Sequence, residues 1–202
     1  MRKNKLFALG LVAMMAVSLT ACGGGEKENE NKITPSPTVE ATVAPTEAPL
    51  SAEEATAELT EVQTAVQELL GENYVANMPY DAMFLNDIYG VQEGWYDAFV
   101  AAGPMMSAHV DTFIAIRPTE GNLDNVKGAL ESYQNMLKED TFQYPSNLPK
   151  IQASRLEVVG DYVFFFMLGF IDDTQYDSEE AMIEAYNAIN EDILAKINEV
   201  IG

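Results

Sequence analysis

Tyr162 to Leu168 is an unbroken apolar run, Tyr-Val-Phe-Phe-Phe-Met-Leu. Successive side chains of a strand point to opposite faces, so a strand with no polar position needs cover on both. The run therefore belongs in the middle of a sheet, covered on both sides over part of its length. Ile151 to Val159 reads as its partner strand. Gly160-Asp161 joins them, and glycine at the first turn position fits a type II′ hairpin.

A second strand pair precedes this one. Asp97 to Ala101 reads as a strand, Gly103-Pro104 as a turn, and Ala108 to Arg117 as the returning strand. Val110, Ile114 and Ile116 fall on one face of it, and His109, Asp111, Phe113 and Arg117 on the other. Helices separate the pairs. Ser51-x-x-Glu54 is a capping box opening a stripe of Ala55, Leu59, Val62, Val66, Leu69 and Leu70, closed by Gly71. Asp81 to Tyr89 is a short helix stopped by Gly90. Asn122 caps a helix with the stripe Val126, Leu130, Tyr133, Met136 and Leu137. Asp177, with Glu180 three residues on, caps a last helix with the stripe Met182, Tyr186, Ile189, Ile193, Ile197 and Val200. The order α-ββ-α-ββ-α predicts an α+β two-layer sandwich: an antiparallel four-stranded sheet packed by helices, one domain over residues 51–202.

The N-terminal quarter is different. Arg2, Lys3 and Lys5 precede an apolar stretch from Leu6 to Leu19, too short for a membrane span of roughly 20 residues but right for a signal peptide over residues 1–21. Thr20 and Ala21 then lead into Cys22, the only cysteine. These residues resemble the lipobox of bacterial lipoproteins. The resemblance implies that Cys22 becomes the mature N-terminus, carries diacylglycerol on its sulfur, and holds the protein at the membrane through lipid. A lipidated Cys22 leaves no thiol for a disulfide, a thiolate metal site or a cysteine nucleophile. Residues 22–50 are rich in Pro, Thr and Glu, with no aromatic residue and no period, and read as a disordered linker.

The chain has 32 acidic and 11 basic residues, a net charge of −21. Loss of residues 1–21 removes three bases, leaving 32 acids against 8 bases, or −24. Such a surface repels phosphate backbones, so nucleic acid is not an expected partner, and it repels anionic headgroups, so lipid must do the anchoring.

Tyr89-Gly90-Val91, the step Met105-Met106-Ser107-Ala108 into His109–Ile116, and Gly160-Asp161-Tyr162-Val163 resemble the lipoprotein family of domain of unknown function 4358, over roughly residues 65–200. Members are typically lipoproteins of Gram-positive bacteria, so the resemblance implies the same fold and address. The family has no established activity, so it carries no site residue over. His109 stands where that family more usually has a small residue.

No motif announces chemistry. Ser107, His109 and Asp111 alternate on the expected strand, where side chains two apart stand roughly 6.5–7 Å from each other, beyond nucleophile–base reach. One histidine and no free cysteine make a transition-metal site improbable, and no cofactor is expected. The acids Asp172, Asp173, Asp177, Glu179 and Glu180 lack EF-hand spacing and suit a helix start better than a calcium site. The residues nominated for ligand binding are Met105, Met106, His109 and Asp111: adaptable methionines at a strand entrance beside the one histidine. The expected function is a non-enzymatic, lipid-anchored extracytoplasmic binding module for an envelope protein, peptide or glycan. An accessory subunit of a membrane transporter or envelope complex is the alternative, favoured by an exposed apolar patch around residues 74–106. An envelope hydrolase ranks behind both and requires a concave pocket with convergent polar groups.

Overall fold

The structure, a computed structural model, describes residues 50–140 and 142–202. The expected signal peptide, Cys22 and the expected linker up to residue 49 lie outside the described residues.

Among the described residues, five α-helices and five strands form one mixed domain: α1 Ala52–Leu70, β1 Met78–Pro79, α2 Ala82–Tyr89, β2 Tyr96–Gly103, β3 Thr112–Pro118, α3 Leu123–Glu139, α4 Leu148–Ala153, β4 Arg155–Val159, β5 Tyr162–Met167 and α5 Glu179–Ile201. The sheet is open and antiparallel throughout, with strand order β1-β2-β3-β5-β4. It has five strands where the sequence predicts four. The extra strand, β1, is two residues long, too short for any period to show.

β5 lies between β3 and β4 and is buried at every position, as its double-sided apolar run requires. On one face, Phe113 and Ala115 of β3 and Tyr162, Phe164 and Phe166 of β5 pack against Leu59, Val62 and Val66 of α1 and Ile193 and Ile197 of α5. On the other, Ile114, Ile116, Val163, Phe165 and Met167 pack against Leu85 and Tyr89 of α2 and Val126 and Leu130 of α3. Helices thus cover both faces, adding a third layer to the two-layer expectation.

Three further boundaries differ from the sequence prediction. β3 begins at Thr112, so Ala108 to Asp111 belong to the preceding loop. A backbone turn from His109 N–H to the Met106 carbonyl and the Thr112 hydroxyl donating to the Val110 carbonyl hold this stretch off the ladder. Ile151 to Ala153 are helical, the end of α4, not strand. Pro149 near the start of α4 favours helix there, and a short apolar run does not by itself distinguish helix from strand. Ser178, not Asp177, caps α5: its hydroxyl accepts from Ala181 N–H at 3.2 Å. Asn122 holds the N-cap position of α3 without a side-chain capping bond. The capping box of α1 forms as predicted, with Ser51 accepting from Glu54 N–H and Glu54 accepting from Ser51 N–H at 2.9 Å.

Candidate functional site

The loop of residues 104–111 joins β2 to β3 and has a different space on each side. On one side is an open groove of about 430 Å³. Its floor is aromatic. Asp81 caps α2 by accepting from Phe84 N–H at 2.9 Å, and Gly90 ends the helix in the left-handed region at φ 70°, so Phe84 and Tyr89 project from one short, well-closed element. The Tyr80 ring stacks on Phe84 with centroids 3.9 Å apart. Tyr89 meets Tyr133 of α3 edge-on at 4.5 Å, and Tyr133 meets Phe165 of the central strand at 5.8 Å. Tyr80 lies directly across Gly103, where an added Cβ would fall 1.7 Å from its hydroxyl oxygen, so only glycine fits under that ring.

Burial pushes the hydroxyl pKa values of Tyr80, Tyr89 and Tyr133 up. All three rings stay neutral at ordinary pH, and the floor suits an apolar surface. Met78 of β1 and Met105 of the loop form flexible rims, with Val110 and Leu137 completing the wall. Ile88, half exposed, also lines the groove, and Met83 and Met106 are exposed apolar side chains outside its lining.

On the other side of the loop is a small pocket of about 160 Å³, lined by His109, Ser146, Asn147, Lys150, Phe170 and Tyr186 among others. Lys150 of α4 lies at its edge, its ammonium 2.8 Å from each oxygen of the fully buried Asp111. The same nitrogen sits 5.6 Å above the Tyr186 ring of α5, a cation–π contact. His109 Nδ1 is 3.9 Å from Asp111 Oδ2. Burial raises the proton affinity of Asp111, and the positive charge of Lys150 opposes that rise. Asn147 donates to the Ala108 carbonyl at 2.9 Å. The segment from Asn147 to Lys150 therefore latches the loop at two points, Ala108 and Asp111.

The nominated residues have distinct places. Met105 and His109 line the groove, and His109 also lines the pocket. Met106 is exposed and lines neither. Asp111 is buried, and both of its oxygens accept from Lys150. Ser107, His109 and Asp111 do not lie on a strand, and no hydrogen bond joins their side chains among the described residues. Lys150, Asn147, Tyr133 and Tyr186 are neighbours of the nominated residues that sequence reasoning did not connect with them. The one available signal was Lys150 itself, a cation within the otherwise apolar Leu148-Pro149-Lys150-Ile151, which needs a partner if that stretch is buried.

Among the described residues no group of three or more His, Cys, Asp or Glu is placed to hold a metal ion. Asp172 instead closes a turn, accepting from the Thr174 hydroxyl and backbone and from Gln175, and these bonds hold its carboxyl below the usual range. No described helix is long and apolar enough to cross a membrane.

Residues 70–168 match DUF4358, a domain of unknown function. The DUF4358 match takes in all five strands, α2 to α4, the loop and the groove floor. α5 lies outside it, and so does α1 except for its last residue, yet these two helices cover one face of the sheet. Phe170 and Tyr186, which complete the small pocket, also lie beyond the match. No curated protein and no solved structure matches the chain.

Proposed function

We propose that this protein is a lipid-anchored extracytoplasmic binding module, non-enzymatic, that takes an apolar segment of an envelope protein or peptide into the groove beside the 104–111 loop. One observation carries the proposal: an open groove with a stacked, neutral aromatic floor and methionine rims, in a domain otherwise strongly acidic. Proteins that keep a contiguous apolar surface open to water generally use it for recognition. Methionine rims suit an occupant whose shape varies, because the thioether chain repacks at little cost. Cys22, through its lipid, would hold the module at the membrane.

A second reading, an accessory subunit docked on a membrane complex, draws support from Met83 and Met106, exposed apolar side chains that are not part of the groove lining. A hydrolase would have to use the small pocket. There Ser146 and His109 line the same space, but no hydrogen bond joins their side chains among the described residues. This pairing is weaker ground than the groove.

The test is in-cell photo-crosslinking from position 105, with position 61 on the far helix as control. A partner captured at 105 alone, lost in Met78→Asp/Met105→Asp and lost when Cys22→Ser releases the protein from the membrane fraction, is the expected result. Equal capture at both positions would overturn the groove as the binding face. A Cys22→Ser protein that still fractionates with membranes and takes up lipid label would overturn the anchor.

A further inference from the structure

An exposed aromatic side chain stands at the rim of the groove. We propose that two copies of this protein pair about a two-fold axis through this face, each placing Phe142 in the groove of the other. The inference rests on the reading that the groove is a binding face, and adds a second copy of the chain as its occupant.

The first argument is how Phe142 is presented. It is 95 % exposed, the highest value among the large apolar side chains described. The backbone beneath it is braced. Asp140 accepts from Phe142 N–H at 2.9 Å and from Gln143 Nε2 at 2.8 Å, so its carboxylate closes a turn under the ring. Gln143 lines the groove, so a ring held outward stands one residue from the groove wall. A ring and a cleft side by side on one face are self-complementary. A half-turn rotation sets each ring against the other copy's cleft, and the contact closes at two copies.

The second argument is charge. A chain with 32 acids and 11 bases repels its own copies over most of its surface. The residues lining the groove include no Asp, Glu, Lys or Arg. The run from Phe142 to Pro149 carries none either. Asp140, just before it, has its carboxylate turned to the Phe142 and Gln143 amides. Two copies can therefore meet on this face without setting like charges against each other, which selects it over the rest of the surface. The third argument is fit. A groove of about 430 Å³ has room for a phenyl side chain, its neutral aromatic floor offers ring faces and edges to pack on, and the rims Met78 and Met105 adapt around it.

Crosslinking between isotopically distinct copies tests this on the full-length chain, purified in excess detergent with no other protein present. A photo-reactive phenylalanine analogue replaces Met105 in an equal mixture of heavy-isotope and ordinary chains, and position 61 serves again as control. The expected product joins one heavy and one light chain, from position 105 of one to residues 142–146 of the other, with none from position 61. Phe142→Asp is expected to lower its yield, read below saturation, at least about thirtyfold, because an aromatic anchor is removed from both copies. The Phe142 ring is exposed, so the variant is expected to melt with the parent, and Phe142→Ser gives the same reading should the aspartate disturb the turn. Absence of a heavy–light product at position 105 overturns the proposal. So does a product formed equally at position 61, one that maps away from residues 142–146, or one that neither substitution lowers. The readout needs no envelope partner, so its failure leaves the in-cell crosslinking test of the binding face intact.

Discussion

Asp111 and Lys150 show how much one side-chain pair can decide. Both are buried, and the Lys150 ammonium lies 2.8 Å from each Asp111 oxygen, the one ion pair of either residue at hydrogen-bond distance among the described residues. Removing one partner of a buried pair strands the other. Lys150→Met is therefore expected to cost about 3–5 kcal/mol in urea unfolding, and Asp111→Asn added to it is expected to recover part of that loss. Because Asp111 also fixes the loop, the single substitution is expected to raise hydrogen exchange across residues 104–111 more than in β5. Glu54 gives a second residue-scale expectation. Its hydrogen bonds from the Ser51 hydroxyl and then the Ser51 backbone hold its carboxyl below the ordinary glutamate range. A depressed pKa stabilises the fold above the ordinary value and loses that contribution as pH falls through the lowered one. Glu54→Ala is expected to lower Tm at neutral pH, with the gap to the parent closing on acidification; a gap constant with pH would refute the capping role. The capping box was legible because its partners lie three residues apart. The Asp111–Lys150 pair was not, because its partners are 39 residues apart and meet only through the fold.

At the scale of elements, the apolar period carried most of the information. The α1 stripe, the α3 stripe and the β5 run all bury as their spacing predicts, although Leu69 of α1 and Met136 of α3 remain exposed. β5 shows both faces at work: Phe165 belongs to the core under α2 and α3, and Phe166 to the core under α1 and α5. Phe165→Ala and Phe166→Ala are each expected to cost about 3–5 kcal/mol by denaturant titration. Phe165→Ala alone is expected to disturb the groove, since Tyr133 rests on that ring. Where sequence reasoning failed, the elements were short. β1 has two residues and α4 six, below the length at which a period of two or 3.6 can be recognised. The candidate site sits among those short elements, which is why Met105 and His109 were found as isolated residues while the groove around them was not.

At the scale of the whole molecule, the DUF4358 match and the folding unit differ. Residues 70–168 hold the sheet and one helical layer, but lack α5 and nearly all of α1. A fragment of that span would expose Phe113, Phe164 and Phe166 to water. It is expected to aggregate or to unfold without a cooperative transition, whereas residues 50–202 are expected to unfold in one step by near- and far-UV circular dichroism. Cooperative unfolding of the 70–168 fragment would show that α1 and α5 are dispensable. The sequence alone determined the long helices, the central place of β5, the antiparallel strand pairs and the acidic character of the chain. Each of these follows from local period, composition or short turns, which act over a few residues. Only the tertiary structure decided the third layer, the fifth strand, the latch from Asn147 and Lys150 onto the loop, and the groove. These depend on which distant residues the chain path brings together, and a helix stripe or a lone lysine specifies that a partner is needed without specifying which one.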